Sequence, residues 1–72
     1  MTFSERLKQL RESKNLTQKA VAESVGMAPM AYQRYEYGTR DPAFSQLLSL
    51  ADFFDVSIDY LVGRTDKPEV NR

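Results

Sequence analysis

The stretch "VGMAPMAYQRYEYG", residues 25–38, decides how this chain folds. Two glycines bracket it, non-polar residues run from Met27 to Ala31, and three tyrosines surround a single arginine. Proline is excluded from a helix interior but suits its first position, and glycine suits the left-handed residue that stops one. The spacing therefore predicts a helix beginning at Pro29, with Ala28 in the cap slot, and stopping at Gly38. Residues three and four apart share a helix face. Tyr32 and Tyr35 then form the inward pair, Ala31 fits a close approach to the preceding helix, and Met27 drops from the turn over Val21 and Val25. Pro29, Met30, Gln33, Arg34 and Tyr37 are left on one continuous outward stripe.

Outward from this stretch, the same signals divide the rest of the chain. Thr2-Phe3-Ser4-Glu5 matches a capping box, and Phe3, Leu7 and Leu10 recur at helical spacing, so a first helix runs to about Ser13. "SKN" ends it. Thr17 caps a second, short helix with Val21, Ala22 and Val25 inward. Ala20 stands where a capping box would place Glu or Gln, so this start is less well fastened. Gly26 closes that helix, and two short helices joined around a glycine make a helix-turn-helix. Asp41-Pro42 marks a turn. Phe44, Leu47, Leu48, Leu50, Ala51 and Phe54 give a fourth helix a broad inward apolar face. Ser57 caps a last helix carrying Ile58, Leu61 and Val62, stopped by Gly63. The expectation is an all-α fold of five short helices, with one domain over residues 1–66 and a flexible tail or linker start over 67–72.

Composition narrows the chemistry. At 72 residues the chain makes one small domain with a thin margin of stability. Cysteine and histidine are both absent, which removes disulfides, thiol nucleophiles, imidazole acid–base chemistry and the usual zinc ligands. No metal or other cofactor, small-molecule ligand or membrane span is expected, and no apolar run approaches the ~20 residues a span requires. The expected setting is cytoplasmic. Net charge is zero but uneven. Residues 1–40 hold seven bases against four acids, a balance of +3, and residues 41–72 hold three bases against six acids, a balance of −3. Such asymmetry suits an anionic partner on the N-terminal part.

The outward stripe has the composition of a contact surface. Arginine and glutamine can pair with guanine and adenine edges, and non-polar groups can touch the thymine methyl. The bland alternative is a scatter of partly exposed side chains, which needs no explanation. The surrounding text weighs against it. "LTQKAVAESVGMAPMAYQRYEYGTRDP" resembles the helix-turn-helix of the Cro and phage-repressor (XRE) family, through Leu16-Thr17-Gln18, Ala22, Gly26, Tyr32, Glu36, Gly38 and Pro42. "LLSLADFFDVSIDYLVGRTD" resembles the fourth and fifth helices of that family. The resemblance covers residues 3 to about 66 and implies a lambda-repressor-like domain that regulates transcription, as a repressor of phage, mobile-element or bacterial promoters.

Carried over residue by residue, the resemblance assigns base contacts to Pro29, Met30 and Arg34, with Gln33 helping. Phosphate contacts fall to Thr17, Gln18, Lys19, Tyr37, Thr39, Arg40 and Arg11. Arg11 also pairs with Glu36 as a structural ion pair. The expected partner is double-stranded DNA with a two-fold-symmetric operator, bound by a homodimer. Two departures from the family pattern stand out. Ala28 replaces the usual Ser or Thr cap of the third helix, and Ala43 replaces the usual serine of the fourth, where Asp41 is expected to substitute. A protein-interaction module, or an antitoxin-like regulator that binds a protein partner, is the alternative. An enzyme is not expected, since the acids are dispersed and the glycines too few for a phosphate loop.

Overall fold

Short-range chemistry accounts for most of the helix boundaries. The structure is a computed structural model that describes residues 1–69. In chain order it contains α1 (Phe3–Ser13), α2 (Gln18–Ser24), α3 (Pro29–Tyr37), α4 (Phe44–Phe54) and α5 (Ile58–Leu61), with no strand among the described residues. At the head of α1 the Thr2 hydroxyl accepts from the Glu5 N–H at 3.2 Å, while the Glu5 carboxylate accepts from the Thr2 N–H at 3.0 Å. The Thr2 N–H, followed by the Thr2 hydroxyl, which donates to the same carboxylate at 2.9 Å, holds the Glu5 carboxyl below its ordinary pKa. Thr17 and Ser57 cap α2 and α5 in the same way, accepting from Ala20 and Tyr60.

All five helices close by one device. The residue beyond the last turn takes a left-handed backbone, at Asn15, Gly26, Gly38, Asp55 and Gly63. The following N–H then reaches a carbonyl five residues earlier, as in Leu16 to Arg11, Met27 to Ala22, Thr39 to Arg34, Val56 to Ala51 and Arg64 to Asp59. Glycine is needed twice over at Gly63, where any Cβ would collide with the Met1 carbonyl.

The core is one cluster of Leu7, Val21, Ala22, Tyr32, Tyr35, Leu50, Ala51, Phe54, Val56 and Leu61. α1 packs on α3 and α5, α2 on α3, and α4 on α5. The Phe3 and Tyr35 rings meet edge to face at 6.2 Å. Arg6 is buried in α1, its guanidinium 3.8 Å from the Tyr60 ring centre and 3.5 Å from Asp66. The Ser57 N–H donates to the Pro68 carbonyl, so the chain returns to the head of α5 after Gly63. The expected tail falls partly outside the described residues, at 70–72. No helix among the described residues is long and apolar enough to cross a membrane.

Two expectations about α4 are corrected. Only Leu47, Leu50, Ala51 and Phe54 of its apolar set pack inward, while Phe44 and Leu48 are 66% and 41% exposed. The reason is angular. At about 100° per residue, 47, 50, 51 and 54 form one stripe, and 44 and 48 fall on its flank. Nor does Asp41 cap α4. The cap position is Ala43, without a side-chain hydrogen bond, and Asp41 precedes it by two residues with Pro42 between.

Candidate nucleic-acid interface

The two ends of α3 are held differently. Ala28 gives its first turn no side-chain hydrogen bond, and Pro29 occupies the position where a missing N–H costs nothing. At the other end, the Ser4 hydroxyl donates to the Tyr35 carbonyl at 2.7 Å. The Gly38 N–H donates to that carbonyl too, while the Thr39 N–H and hydroxyl both donate to the Arg34 carbonyl. The loop carrying Thr39 is thereby tied to the helix end.

A polar tie sets how α3 is turned about its axis. Arg11 Nε and Nη2 donate to the two carboxylate oxygens of Glu36 at 2.7 and 3.1 Å, and Nη1 donates to the Leu16 carbonyl. Gln18 Nε2 adds a bond to Glu36 at 3.1 Å. The Glu36 side chain is 1% exposed. Burial alone would raise its carboxyl, but the Arg11 guanidinium, the nearby Tyr32 hydroxyl and the Gln18 amide outweigh it and hold the acid below its ordinary pKa. The Tyr32 hydroxyl is buried without a well-aligned hydrogen-bond partner. Burial, followed by the Glu36 charge beside it, pushes its ionisation far above the usual phenol range.

With Tyr32, Tyr35 and Glu36 buried, the opposite face of α3 points outward. Met30 and Tyr37 are 66% and 68% exposed. Pro29 and Arg34 are exposed and Gln33 is half-buried. Arg40, Thr39, Thr17 and Lys19 are exposed as well, with Lys19 4.0 Å from Glu23 one helical turn on. Thr17 spends its hydroxyl oxygen on the Ala20 cap.

Two residues differ from the picture of freely projecting contacts. Gln18 is half-buried, with its amide nitrogen turned to Glu36; one N–H and the amide oxygen remain for an outside partner. Arg11 spends three N–H groups inside the chain, leaving two. Sequence reasoning also missed Arg6, which stands three residues after Phe3 and four before Leu10, on the inward face of α1. That spacing was the available signal.

Comparison with known proteins places this geometry. The sequence profile of the helix-turn-helix family matches residues 7–61. YobD, an uncharacterized HTH-type transcriptional regulator of Bacillus subtilis, is 40% identical over 67 residues, covering 93% of this chain and 60% of YobD. The cryptic phage CTXphi transcriptional repressor RstR of Vibrio cholerae is 38% identical over 64 residues, covering 89% of this chain and 57% of RstR. The chain thus spans three-fifths or less of the length of these relatives. Among solved structures, the P22 c2 repressor in complex with a synthetic operator superimposes with a TM-score of 0.84 at 26% identity, over 90% of this chain and 98% of that one. Profile, relatives and fold agree with the helix pair read from residues 17–38, and this chain belongs to the helix-turn-helix family.

Proposed function

We propose that this chain is the DNA-binding part of a sequence-specific transcriptional regulator, and that it represses promoters by laying α3 in the major groove of double-stranded DNA. The observation that carries the reading is the division of α3 into a buried, hydrogen-bonded side and an exposed side bearing Pro29, Met30 and Arg34, with the half-buried Gln33 between them. Major-groove edges are read by such groups, and helix-turn-helix proteins place their second helix there. Support comes from the P22 c2 repressor, seen on operator DNA with a similar fold, and from the regulators and repressors among the relatives.

In this reading Thr17, Gln18, Lys19, Tyr37, Thr39 and Arg40 meet phosphates, with the spare N–H groups of Arg11 assisting. Residues 1–66 form the binding unit, and the protein works in the cytoplasm. The chain binds rather than catalyses, because its acids are dispersed and it has neither histidine nor cysteine. Among the bases of residues 1–40, Arg6 is buried and Arg11 is paired, so Lys8, Lys14, Lys19, Arg34 and Arg40 remain exposed. So few cations hold one copy weakly, and two copies on a two-fold operator double both the phosphate contacts and the base contacts.

Titration against random duplex DNA at two salt concentrations, followed by selection from randomised duplexes, tests the proposal. The expected result is a steep loss of affinity with salt and recovery of a two-fold-symmetric site. Salt-independent binding, or selection that returns no sequence, would refute it.

A further inference from the structure

We infer that Ser4 is a positioning residue for DNA binding: its hydroxyl, reaching from the first turn of α1, holds the end of α3 so that Thr39 and Arg40 meet the phosphate backbone from a preset place. The inference rests on the DNA reading above and adds to it a residue that touches no DNA itself.

A helix leaves its last four carbonyls without helical partners. In α3 two of them are taken up by the turn that follows. The Arg34 carbonyl accepts from the Thr39 N–H and hydroxyl, and the Tyr35 carbonyl accepts from the Gly38 N–H at 3.3 Å. Those donors belong to the turn and set its shape. Ser4 is different, because its hydroxyl donates to the Tyr35 carbonyl at 2.7 Å from another helix, 31 residues away in the chain. Its neighbour Phe3 sets a ring edge against the Tyr35 ring, and the capping box of Thr2 and Glu5 fastens the turn that carries both. A Cβ on Gly38 would lie 3.4 Å from the Ser4 hydroxyl, so that oxygen stands beside the first residue of the loop.

Beyond Gly38 no helix resumes before Phe44, and Thr39 and Arg40 are exposed. A loop whose backbone is already placed loses less freedom on binding, and more of the contact energy survives as affinity. Phosphate contacts fix position and carry no sequence information directly. Ser4 therefore supports grip rather than base reading. Glu36, Arg11 and Gln18 set how α3 is turned, while Ser4 sets where the chain leaves it.

The test measures affinity for the selected operator and for a random duplex, per folded molecule, with the folded fraction taken from denaturation of the same preparation. Ser4→Ala weakens both duplexes about fivefold, the worth of one hydrogen bond. In an Arg40→Ala background the same change costs about twofold or less, because the contact that needed the loop in place is gone. A purely structural serine would lower the unfolding midpoint and leave affinity per folded molecule unchanged, and that result overturns the inference. So does an equal loss in both backgrounds, or a loss confined to the operator, which would put the effect on α3 rather than on the loop. Each of these outcomes leaves the DNA reading intact. Wild-type protein that binds no duplex overturns both.

Discussion

Both α3 and α4 start on an alanine that offers no side-chain hydrogen bond, Ala28 and Ala43, and both stop on a left-handed residue, Gly38 and Asp55. Both also hold large apolar side chains in water, Met30 and Tyr37 on one, Phe44 and Leu48 on the other. The inward sides differ. α4 is held by apolar side chains, Leu47, Leu50, Ala51, Phe53 and Phe54, and apolar burial is non-directional. α3 buries Tyr32 and Tyr35 but adds the bonds from Arg11 and Gln18 to Glu36, and hydrogen bonds prescribe angles as well as distances. Apolar packing suffices to close a core. Presenting a particular face at a fixed rotation calls for the directional kind, and that is where the chain buries an ion pair.

The largest expected effect breaks this tie. Glu36→Gln leaves the Arg11 guanidinium partly buried without its counter-charge, and loss of one partner of a buried pair costs about 3 kcal/mol or more. Chemical denaturation should show a loss of this order, a large fraction of the margin of so small a domain. A loss below about 0.5 kcal/mol, typical of surface changes, would make the network dispensable and remove the contrast with α4.

Acid titration sharpens the same point. The Glu36 carboxyl is held below its ordinary value of 4.5 in the folded state, so folding favours its charged form. Its contribution is complete above about pH 4.5 and is lost as pH falls through the depressed folded value. Glu5 is depressed as well, so wild type alone does not isolate Glu36. The acid limb of stability against pH should therefore be steeper in wild type than in Glu36→Gln. Identical slopes would show that the carboxylate is not favoured by folding.

On the outward side of α3 the effects move from stability to affinity. Arg34→Ala should cost roughly 1–3 kcal/mol of specific binding and relax preference at one base pair. Arg40→Ala, in the loop beyond the helix, should weaken all sequences alike and reduce the salt slope by about one. Competition binding against single-base operator variants at several salt concentrations separates the two. Identical behaviour would erase the division between base reading and phosphate gripping.

The sequence showed most of what depends on short range. The Thr2 and Ser57 caps, Pro29 at a helix start and the glycine stops each rest on neighbours within four residues. The inward pair Tyr32 and Tyr35 followed from helical period and proline alone. Illegible features depended on distance or angle. Asp55 closes α4 as the glycines close their helices, yet nothing in the sequence reading singled it out as a stop, whereas "SKN" had marked the end of α1 where Asn15 turns left-handed. Phe44 and Leu48 looked like core because a broad apolar face shows hydrophobicity without showing which arc a neighbour covers. Gln18 is 18 residues from Glu36, and the resemblance had assigned it to phosphate. Its attachment to Glu36 exists only once α2 has packed on α3.

The smallest expected effect tests whether the two bare helix starts are alike. Ala43→Ser and Ala28→Ser each supply a hydroxyl where the structure shows no capping bond, and each should stabilise the fold by about 1 kcal/mol. On thermodynamic grounds alone the two substitutions are interchangeable. They differ in surroundings: Ala43 opens a helix whose exposed flank carries Phe44 and Leu48, whereas Ala28 adjoins Pro29 and Met30 on the proposed reading face. Ala28→Ser should therefore change which duplexes are selected, by adding a polar group to an apolar lip, and Ala43→Ser should leave the selected sequences unchanged. Denaturation paired with selection on both variants reads the two quantities separately. Equal stabilisation with unequal DNA preference is the expected pattern. A shift in preference from Ala43→Ser, or none from Ala28→Ser, would mean that the missing cap of α3 has nothing to do with reading DNA.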